Sequence, residues 1–158
     1  MKSTYFAGLA LTATVLFLPA CDFPLYYSIE NLSPETISVR AVPMAVIDRL
    51  RCREIREFLR VGSCNETGCE TPEQPVDEGD VDCDYEANSF TLHLHRNSGV
   101  LLATAYSFAP DTGLKSLEIL QGATVLPYGL DSFEKRDYAH YVITVRAADV
   151  ALTASPSL

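Results

Sequence analysis

Four cysteines close together in the middle of the chain constrain its fold more than any other feature. An even number of cysteines in an exported chain is typical of a disulfide framework, and four cysteines allow three pairings. We expect Cys64 to pair with Cys69 across the tight 65–68 loop, and Cys52 to pair with Cys83. Zinc is the alternative ligand for these thiols, but the spacing lacks paired C-x-x-C motifs, so we predict no metal site here.

The start of the chain has the parts of a secretory signal, which is what makes the disulfides plausible. Lys2 precedes an apolar run at 5–17, and small residues precede a fifth cysteine, Cys21. The apolar run is too short to span a bilayer as a helix. A soluble secreted protein that happens to carry a cysteine near its mature start is the alternative reading.

The segment LPAC at 18–21 resembles the lipobox of bacterial lipoproteins. The resemblance implies that residues 1–20 are a signal peptide and that Cys21 is lipidated, with fatty acyl chains such as palmitate. Residues 21–24 would then be the lipidated cysteine and its spacer. It also implies a location in the cell envelope, anchored to a bacterial membrane and facing the periplasm or the exterior, since several acyl chains give a stable anchor.

The composition indicates one globular domain over residues 25–158. Hydrophobic residues make up 47% of the sequence, which is enough for a packed core. The formal net charge is −9 and the calculated isoelectric point is about 4.7. This charge argues against nucleic acid as a partner, because binding to phosphates requires a basic face.

Period-two alternation of apolar residues predicts strands on both sides of the cysteine-rich stretch. Tyr27 and Ile29 alternate with polar residues, as do Ile37 and Val39 after an intervening turn. Further strands and hairpin turns are predicted between residue 90 and the C-terminus, the last of them a short edge at 150–154. About seven strands result, and the usual way to bury them is a single-domain antiparallel β-sandwich, so the fold class is mainly β.

A helix and an acidic loop are predicted between the second and third of these strands. Pro43 suits the first turn of a helix and Gly62 its C-terminal cap, so we expect one amphipathic helix over about 44–60. Its apolar side should carry Met44, Ile47, Leu50, Ile55 and Phe58. The segment at about 63–88 is rich in Asp, Glu, Pro and Gly and has no Lys or Arg, which predicts an irregular loop stapled by disulfides.

The other side of the predicted helix carries a stripe of arginines, which are the candidate partner-binding residues Arg49, Arg53, Arg56 and Arg60. One interpretation is contact with an acidic partner protein, and another is contact with anionic lipid head groups. The third is internal: the stripe neutralises the acidic loop that follows it, or is simply a solvated face, where exposed pairs contribute about 0–1 kcal/mol each.

Two other patterns suggest a metal but do not complete a site. Asp80, Asp82 and Asp84 have the opening spacing of a calcium-binding EF-hand loop, but its sixth position is not Gly and its twelfth is not Glu. His93 and His95 project from one face of a strand with no third ligand fixed by the sequence. We therefore predict no metal and no cofactor.

The sequence offers no constellation that supports catalysis. The tetrapeptide SFEK at 132–135 matches S-x-x-K, but the K-T-G element that accompanies that motif is missing. The chain also lacks G-x-S-x-G and a phosphate-binding Gly-rich loop. We therefore expect a protein that is not an enzyme and that has no catalytic residues.

The sequence thus predicts a membrane-anchored envelope lipoprotein that acts as a non-enzymatic protein-binding or scaffold module. Its partners would be a membrane, through the lipid anchor, and an envelope protein. A metal- or ligand-binding periplasmic carrier is one alternative. The order of lipobox, two strands, helix and β hairpins also resembles the type VI secretion lipoprotein that docks a membrane complex, which gives a second alternative.

Overall fold

The computed structural model describes residues 24–65, 67–106 and 112–149. The signal peptide predicted at 1–20, the predicted lipidation site Cys21 and the edge expected at 150–154 lie outside the described residues.

Twelve strands, one α-helix, two 3-10 turns and a helical turn at 147–149 build the described part of the chain, and seven of the strands contain six or more residues. The helix is α1 (Arg49–Phe58), and it follows the second strand. The strands are β1 (Pro24–Asn31), β2 (Ile37–Pro43), β3 (Arg60–Asn65), β4 (Gly68–Cys69), β5 (Gln74–Pro75), β6 (Val81–Asp84), β7 (Ser89–Leu94), β8 (Ser98–Tyr106), β9 (Leu114–Gln121), β10 (Thr124–Leu126), β11 (Glu134–Lys135) and β12 (His140–Val145).

The strands form two sheets, which confirms the predicted mainly β, sandwich-like fold. Sheet A has seven strands in the order β11-β12-β1-β8-β3-β4, with β5 also paired to β3. Sheet B has five strands in the order β10-β9-β2-β7-β6. The pairs are antiparallel except for β1 and β12, the first and last strands of the described chain, which lie side by side and run parallel.

The core lies between the sheets and follows from the period-two alternation. Ile29 of β1 and Ile143 of β12 point inward from sheet A, and Val39, Leu92 and Ile119 point inward from sheet B. These side chains are fully buried. Burying a large aliphatic side chain contributes about 1.5–3 kcal/mol, so this layer supplies most of the driving force for folding.

The two sheets are also joined by a buried amide at the end of β1. Asn31 Nδ2 donates to the carbonyl oxygen of Leu94, at 2.9 Å, and to that of Glu35, at 2.7 Å. Its Oδ1 accepts from the backbone N–H and the hydroxyl of Ser33. A buried polar group is tolerated when its hydrogen bonds are made, and here they fix the turn after β1 against the end of β7.

The helix is shorter than predicted, and its expected limits were wrong. Pro43 is the last residue of β2, where no ladder hydrogen bond is required of it, and Gly62 lies within β3. The helix instead begins after Asp48, whose Oδ1 accepts a hydrogen bond from the N–H of Arg51 at 2.7 Å. This is an ordinary N-terminal cap.

Both predicted disulfides are present. Cys52–Cys83 joins α1 to β6, and Cys64–Cys69 joins β3 to β4. The acidic segment around them is more regular than expected, since β3, β4, β5 and β6 all lie within or beside it. Local composition did not predict these short strands, because they depend on pairing with distant residues and on the two disulfides: β3 pairs with β8, β6 with β7, and both β4 and β5 with β3.

Candidate functional site

The structure divides the predicted arginine stripe into two parts, and the first is engaged within the protein. Arg56 Nη2 donates to the carbonyl of Val81 at 2.8 Å, and Nη1 lies 3.5 Å from Glu78 Oε1. Arg60 lies beyond α1 and donates to the carbonyls of Glu57 and Leu59 at the end of the helix. These two arginines therefore cap the helix and hold the acidic segment.

Arg49 and Arg53 are the part of the stripe that faces solvent. Arg53 Nε lies 3.7 Å from Glu57 Oε1, with both side chains about two-thirds exposed, which is a weak pair. Arg49 is exposed and forms no ion pair within the described residues. Of the four candidate partner-binding arginines, only these two present their charge outward.

The apolar side of the predicted helix was only partly right. Ile47 is buried and Ile55 is half-buried against the core, as expected. Met44, Leu50 and Phe58 are exposed instead. The buried residue of α1 is Cys52, which is cross-linked to β6, whereas Leu50 and Phe58 lie on the solvent side of the helix and Met44 lies in the loop before it.

The outer face of sheet A carries a polar groove centred on an ion pair that the sequence analysis did not anticipate. Arg136 binds Glu30 through both guanidinium nitrogens, and its Nη2 lies 2.6 Å from Glu30 Oε2. The Glu30 side chain is only 4% exposed, whereas that of Arg136 is 44% exposed. The hydrogen bond that Arg136 donates to this carboxylate raises the pKa of Arg136 above its ordinary value.

Two cavities adjoin this ion pair and share Arg136. The larger has a volume of about 490 Å³ and is lined mainly by polar side chains: Tyr128, Ser132, Glu134, Lys135, Thr144, Arg146 and Asp149. The smaller, of about 250 Å³, lies on the other side and reaches Ser28, Glu70 and His140. Together they form one groove of mixed charge, which we call the sheet A groove.

The environment of the groove raises the pKa of one of its lining residues, Tyr128, well above the ordinary value. Partial burial and a hydrogen bond to the Asp149 carboxylate raise the pKa of Tyr128 to about 12. Its hydroxyl is also 3.4 Å from the carbonyl oxygen of Thr144. A phenol held neutral in this way serves as a hydrogen-bond donor at the wall of the groove, not as a base.

The two residue patterns that suggested a metal lie side by side on sheet B. His93 Nε2 is 3.3 Å from Asp82 Oδ2, and His95 Nε2 is 3.3 Å from Asp80 Oδ1. Asp84 is apart from them and accepts hydrogen bonds from the backbone of the following turn. Within the described ranges, no group of three or more His, Cys, Asp or Glu side chains is placed to hold a metal ion.

The S-x-x-K residues have contacts of a structural kind. Ser132 Oγ accepts a hydrogen bond from the N–H of Gly129 at 2.9 Å, which closes a short 3-10 turn. The ammonium group of Lys135 lies 5.8 Å from the centre of the Tyr138 ring. Both side chains border the sheet A groove, where they add polar surface.

Sequence reasoning missed the Glu30–Arg136 pair because 106 residues separate its members. Glu30 follows the apolar residue Ile29 in a regular strand, so its pattern is that of any outward-facing polar residue. The parallel pairing of β1 with β12 is what brings the two together.

Comparisons with family models, with curated proteins and with solved structures find no match for this chain. No helix in the described part of the chain is long and apolar enough to cross a membrane.

Proposed function

We propose that this protein is a lipoprotein of the bacterial cell envelope, anchored through Cys21, whose folded body is a non-enzymatic protein-binding module. The observation that carries the proposal is the use of the cysteines. All four cysteines in the described residues are paired in disulfides, a state typical of oxidising compartments. Cys21 precedes the first strand by three residues, and the LPAC segment supplies the acylation signal.

The sheet A groove is the surface that we propose for the protein partner. It combines Lys135, Arg136 and Arg146 with Glu134 and Asp149, so it can pair with both signs of charge on a partner. Wet, polar interfaces with scattered charge are usual for partners that associate and separate. The arginine stripe is a weaker candidate for this partner, since Arg56 and Arg60 are already bonded within the protein.

Two measurements test the proposal. Cells that express the full chain should incorporate radiolabelled palmitate into it, and the Cys21→Ser variant should not be labelled. A photo-crosslinking residue in place of Lys135 should then capture one defined envelope protein, and the capture should be lost with Arg146→Glu. The matched control is the same crosslinker in place of Lys115, an exposed lysine on β9 of the other sheet. Equal capture at both positions would refute the assignment of the groove.

A periplasmic carrier is a second candidate, favoured by the two adjoining cavities that share Arg136. Native mass spectrometry and elemental analysis of the protein purified from envelopes would detect a bound molecule or metal. The type VI secretion-like docking role is a third proposal, and it rests on the order of two strands, one helix and further β hairpins. The identity of the protein crosslinked at Lys135 distinguishes it from other partners.

A further inference from the structure

The chain enters the sandwich at one end, which we call the Pro24 end. Pro24 pairs with Tyr106 at the end of β8, and Tyr26 pairs with His140 at the start of β12. Sheet B contributes the end of β2 and the starts of β7 and β9. This follows because Pro43, Phe90 and Leu114 line one cavity together with Thr104 of β8 and with residues of α1.

Exposed apolar side chains are concentrated at the Pro24 end. Among the described residues, seven large hydrophobic side chains are exposed, and six of them lie on α1, in the loop before it or in turns at this end: Met44, Val46, Leu50, Phe58, Tyr85 and Tyr138. The seventh, Val125, lies on β10 in the hairpin at the opposite end. Scattered exposed apolar residues are ordinary, but their concentration on one end marks an interaction surface.

The segment 44–50 comprises the loop before α1 and the first two residues of the helix, and we call it the docking loop. It contains Val46, the most exposed of these apolar side chains. Met44 is 63% exposed and Val46 is 79% exposed. The loop is nevertheless held in place, because the N–H of Met44 donates to the carbonyl of Gly113 at 2.9 Å and the N–H of Ile47 donates to Asn88 Oδ1. The loop thus presents apolar side chains from a fixed backbone.

Positive charge accompanies the docking loop in a protein that is acidic overall. Arg49 is exposed beside Leu50, and the four arginines of α1 outnumber its two glutamates and the capping carboxylate of Asp48, which is occupied by the N–H of Arg51. Apolar side chains flanked by arginine are the composition of segments that lie in the interface of an anionic bilayer.

The short distance along the chain between Cys21 and Pro24 limits how far the Pro24 end can lie from a membrane to which Cys21 is anchored. Two residues lie between Cys21 and Pro24, and the three residue steps from one to the other span about 11 Å when the chain is fully extended. If Cys21 is acylated, the Pro24 end is therefore held against the bilayer surface. The interfacial layer into which amphipathic segments insert is about 5–10 Å deep, which matches this reach.

We propose that the docking loop enters the interfacial region of the membrane through Met44, Val46 and Leu50, while Arg49 binds lipid phosphate. The proposal rests on the lipid anchor at Cys21 that is part of the proposed function. It fixes the orientation of the body, with the Pro24 end on the bilayer and the hairpin that carries Val125 pointing away from it.

The absence of tryptophan from the sequence allows a direct test. The full lipidated chain is purified with either Val46→Trp or Val125→Trp, two exposed valines at opposite ends. Each is reconstituted in vesicles of phosphatidylethanolamine and phosphatidylglycerol, with or without bromine on the acyl chains. In the Val46→Trp variant, the tryptophan fluorescence should be quenched by bromine and its emission should be blue-shifted. In the Val125→Trp variant, the tryptophan fluorescence should keep its full intensity. In the Val46→Trp background, Arg49→Glu should lower the quenching, and Arg96→Glu, in a turn at the far end, should not.

The outcomes separate failure of the anchor from failure of the docking surface. If the chain does not float with the vesicles, the anchor at Cys21 is refuted and this orientation with it. If the chain floats but bromine quenches both tryptophans equally, or quenches neither, the anchor stands and the docking surface is refuted. If Val46→Trp is unquenched in vesicles but becomes shielded in native envelopes, a protein covers the loop, which also overturns the proposal.

Discussion

Glu30 and Arg136 form a two-point ion pair across the outer face of sheet A, although 106 residues separate them in the chain. The carboxylate is nearly inaccessible, while the guanidinium is half-exposed, so the arginine serves to neutralise a charge that the sheet has buried. The parallel contact between β1 and β12 positions the pair, with Thr144 Oγ1 3.4 Å from Glu30 Oε2 as a third partner.

We expect Arg136→Ala to destabilise the protein, because it leaves the buried Glu30 carboxylate without its counter-charge and, within the described residues, with only the long hydrogen bond from Thr144 Oγ1. Loss of one member of a fully buried pair costs about 3–5 kcal/mol. We expect about 2–3 kcal/mol here, because the arginine is partly exposed and water can enter the groove. Urea unfolding followed by circular dichroism measures the difference.

The matched control is Arg40→Ala, which breaks an exposed pair with Glu118 at 3.7 Å. Its cost should stay within about 1 kcal/mol. A double variant in which Glu30 and Arg136 are both methionine should recover much of the loss. Equal effects of Arg136→Ala and Arg40→Ala would contradict the structural role of the buried pair.

A second prediction concerns Gly62, which is paired with Gly99 on the outer face of sheet A. A Cβ atom on Gly62 would lie 2.7 Å from the carbonyl oxygen of Glu70, and a Cβ atom on Gly99 would lie 3.0 Å from Cys69 Sγ. The Cys64–Cys69 disulfide and the residues just after it, at 70–72, therefore pack against the sheet at the two positions that have no side chain.

We expect Gly62→Ala to destabilise by about 1–3 kcal/mol, because a backbone atom must move to admit the methyl group. Thermal unfolding measures the change. Gly79→Ala is the control, since a Cβ atom there meets nothing within 4 Å and the backbone conformation is ordinary. A neutral Gly62→Ala would mean that residues 70–72 are not held against the sheet.

The two disulfides should contribute unequally to stability. Cys52–Cys83 spans 31 residues in sequence and Cys64–Cys69 spans five. Loop-closure entropy then gives about 4 kcal/mol for the first and about 2 kcal/mol for the second. Paired alanine variants of each disulfide, compared by urea unfolding, should differ by about 2 kcal/mol. The opposite order would indicate that native contacts, not chain entropy, decide the contribution.

Local sequence signals predicted the parts of the fold that local physics determines. The alternation around Ile29 and Val39 places strands correctly, and the short 65–68 loop favours the observed Cys64–Cys69 pairing. The helix limits predicted from Pro43 and Gly62 were wrong, because both residues lie in strands. Their roles there depend on tertiary contacts, which the local sequence does not show. Pro43 follows a shift in register at the end of β2, and Gly62 makes room for residues 70–72.

Contacts between distant segments lay outside what the sequence could predict. The strands within the acidic segment have little apolar alternation of their own, so the pairing of β3 with β8 and of β6 with β7 leaves no local signal. The same holds for the sheet A groove, whose residues come from β1, β11, β12 and the connecting segments around them. The arginine stripe was visible in the sequence, but which arginines are engaged depends on where Val81 and Glu78 return to the helix.

Asp137, in the turn before β12, should make the stability of the protein depend on acidic pH. Its carboxylate accepts hydrogen bonds from the N–H groups of Ala139 and His140, at 2.9 and 3.0 Å, and from His140 Nδ1 at 2.7 Å. These hydrogen bonds lower the pKa of Asp137 below its ordinary value of 3.8, and the bond from the N–H of Ala139 has the largest effect. A lowered pKa in the folded state stabilises the fold above the unfolded-state pKa, and this contribution is lost as pH falls through the folded-state value.

We therefore expect Asp137→Asn to be less stable than the wild type at neutral pH, with the difference shrinking as pH falls below about 4. Urea unfolding of both proteins over a series of pH values measures this convergence. Asp77→Asn serves as the control, because Asp77 is exposed and its side chain makes no cap hydrogen bond to the 3-10 turn that follows it. A difference between Asp137→Asn and wild type that stays constant at every pH would show that the turn depends on the shape of the side chain and not on its charge.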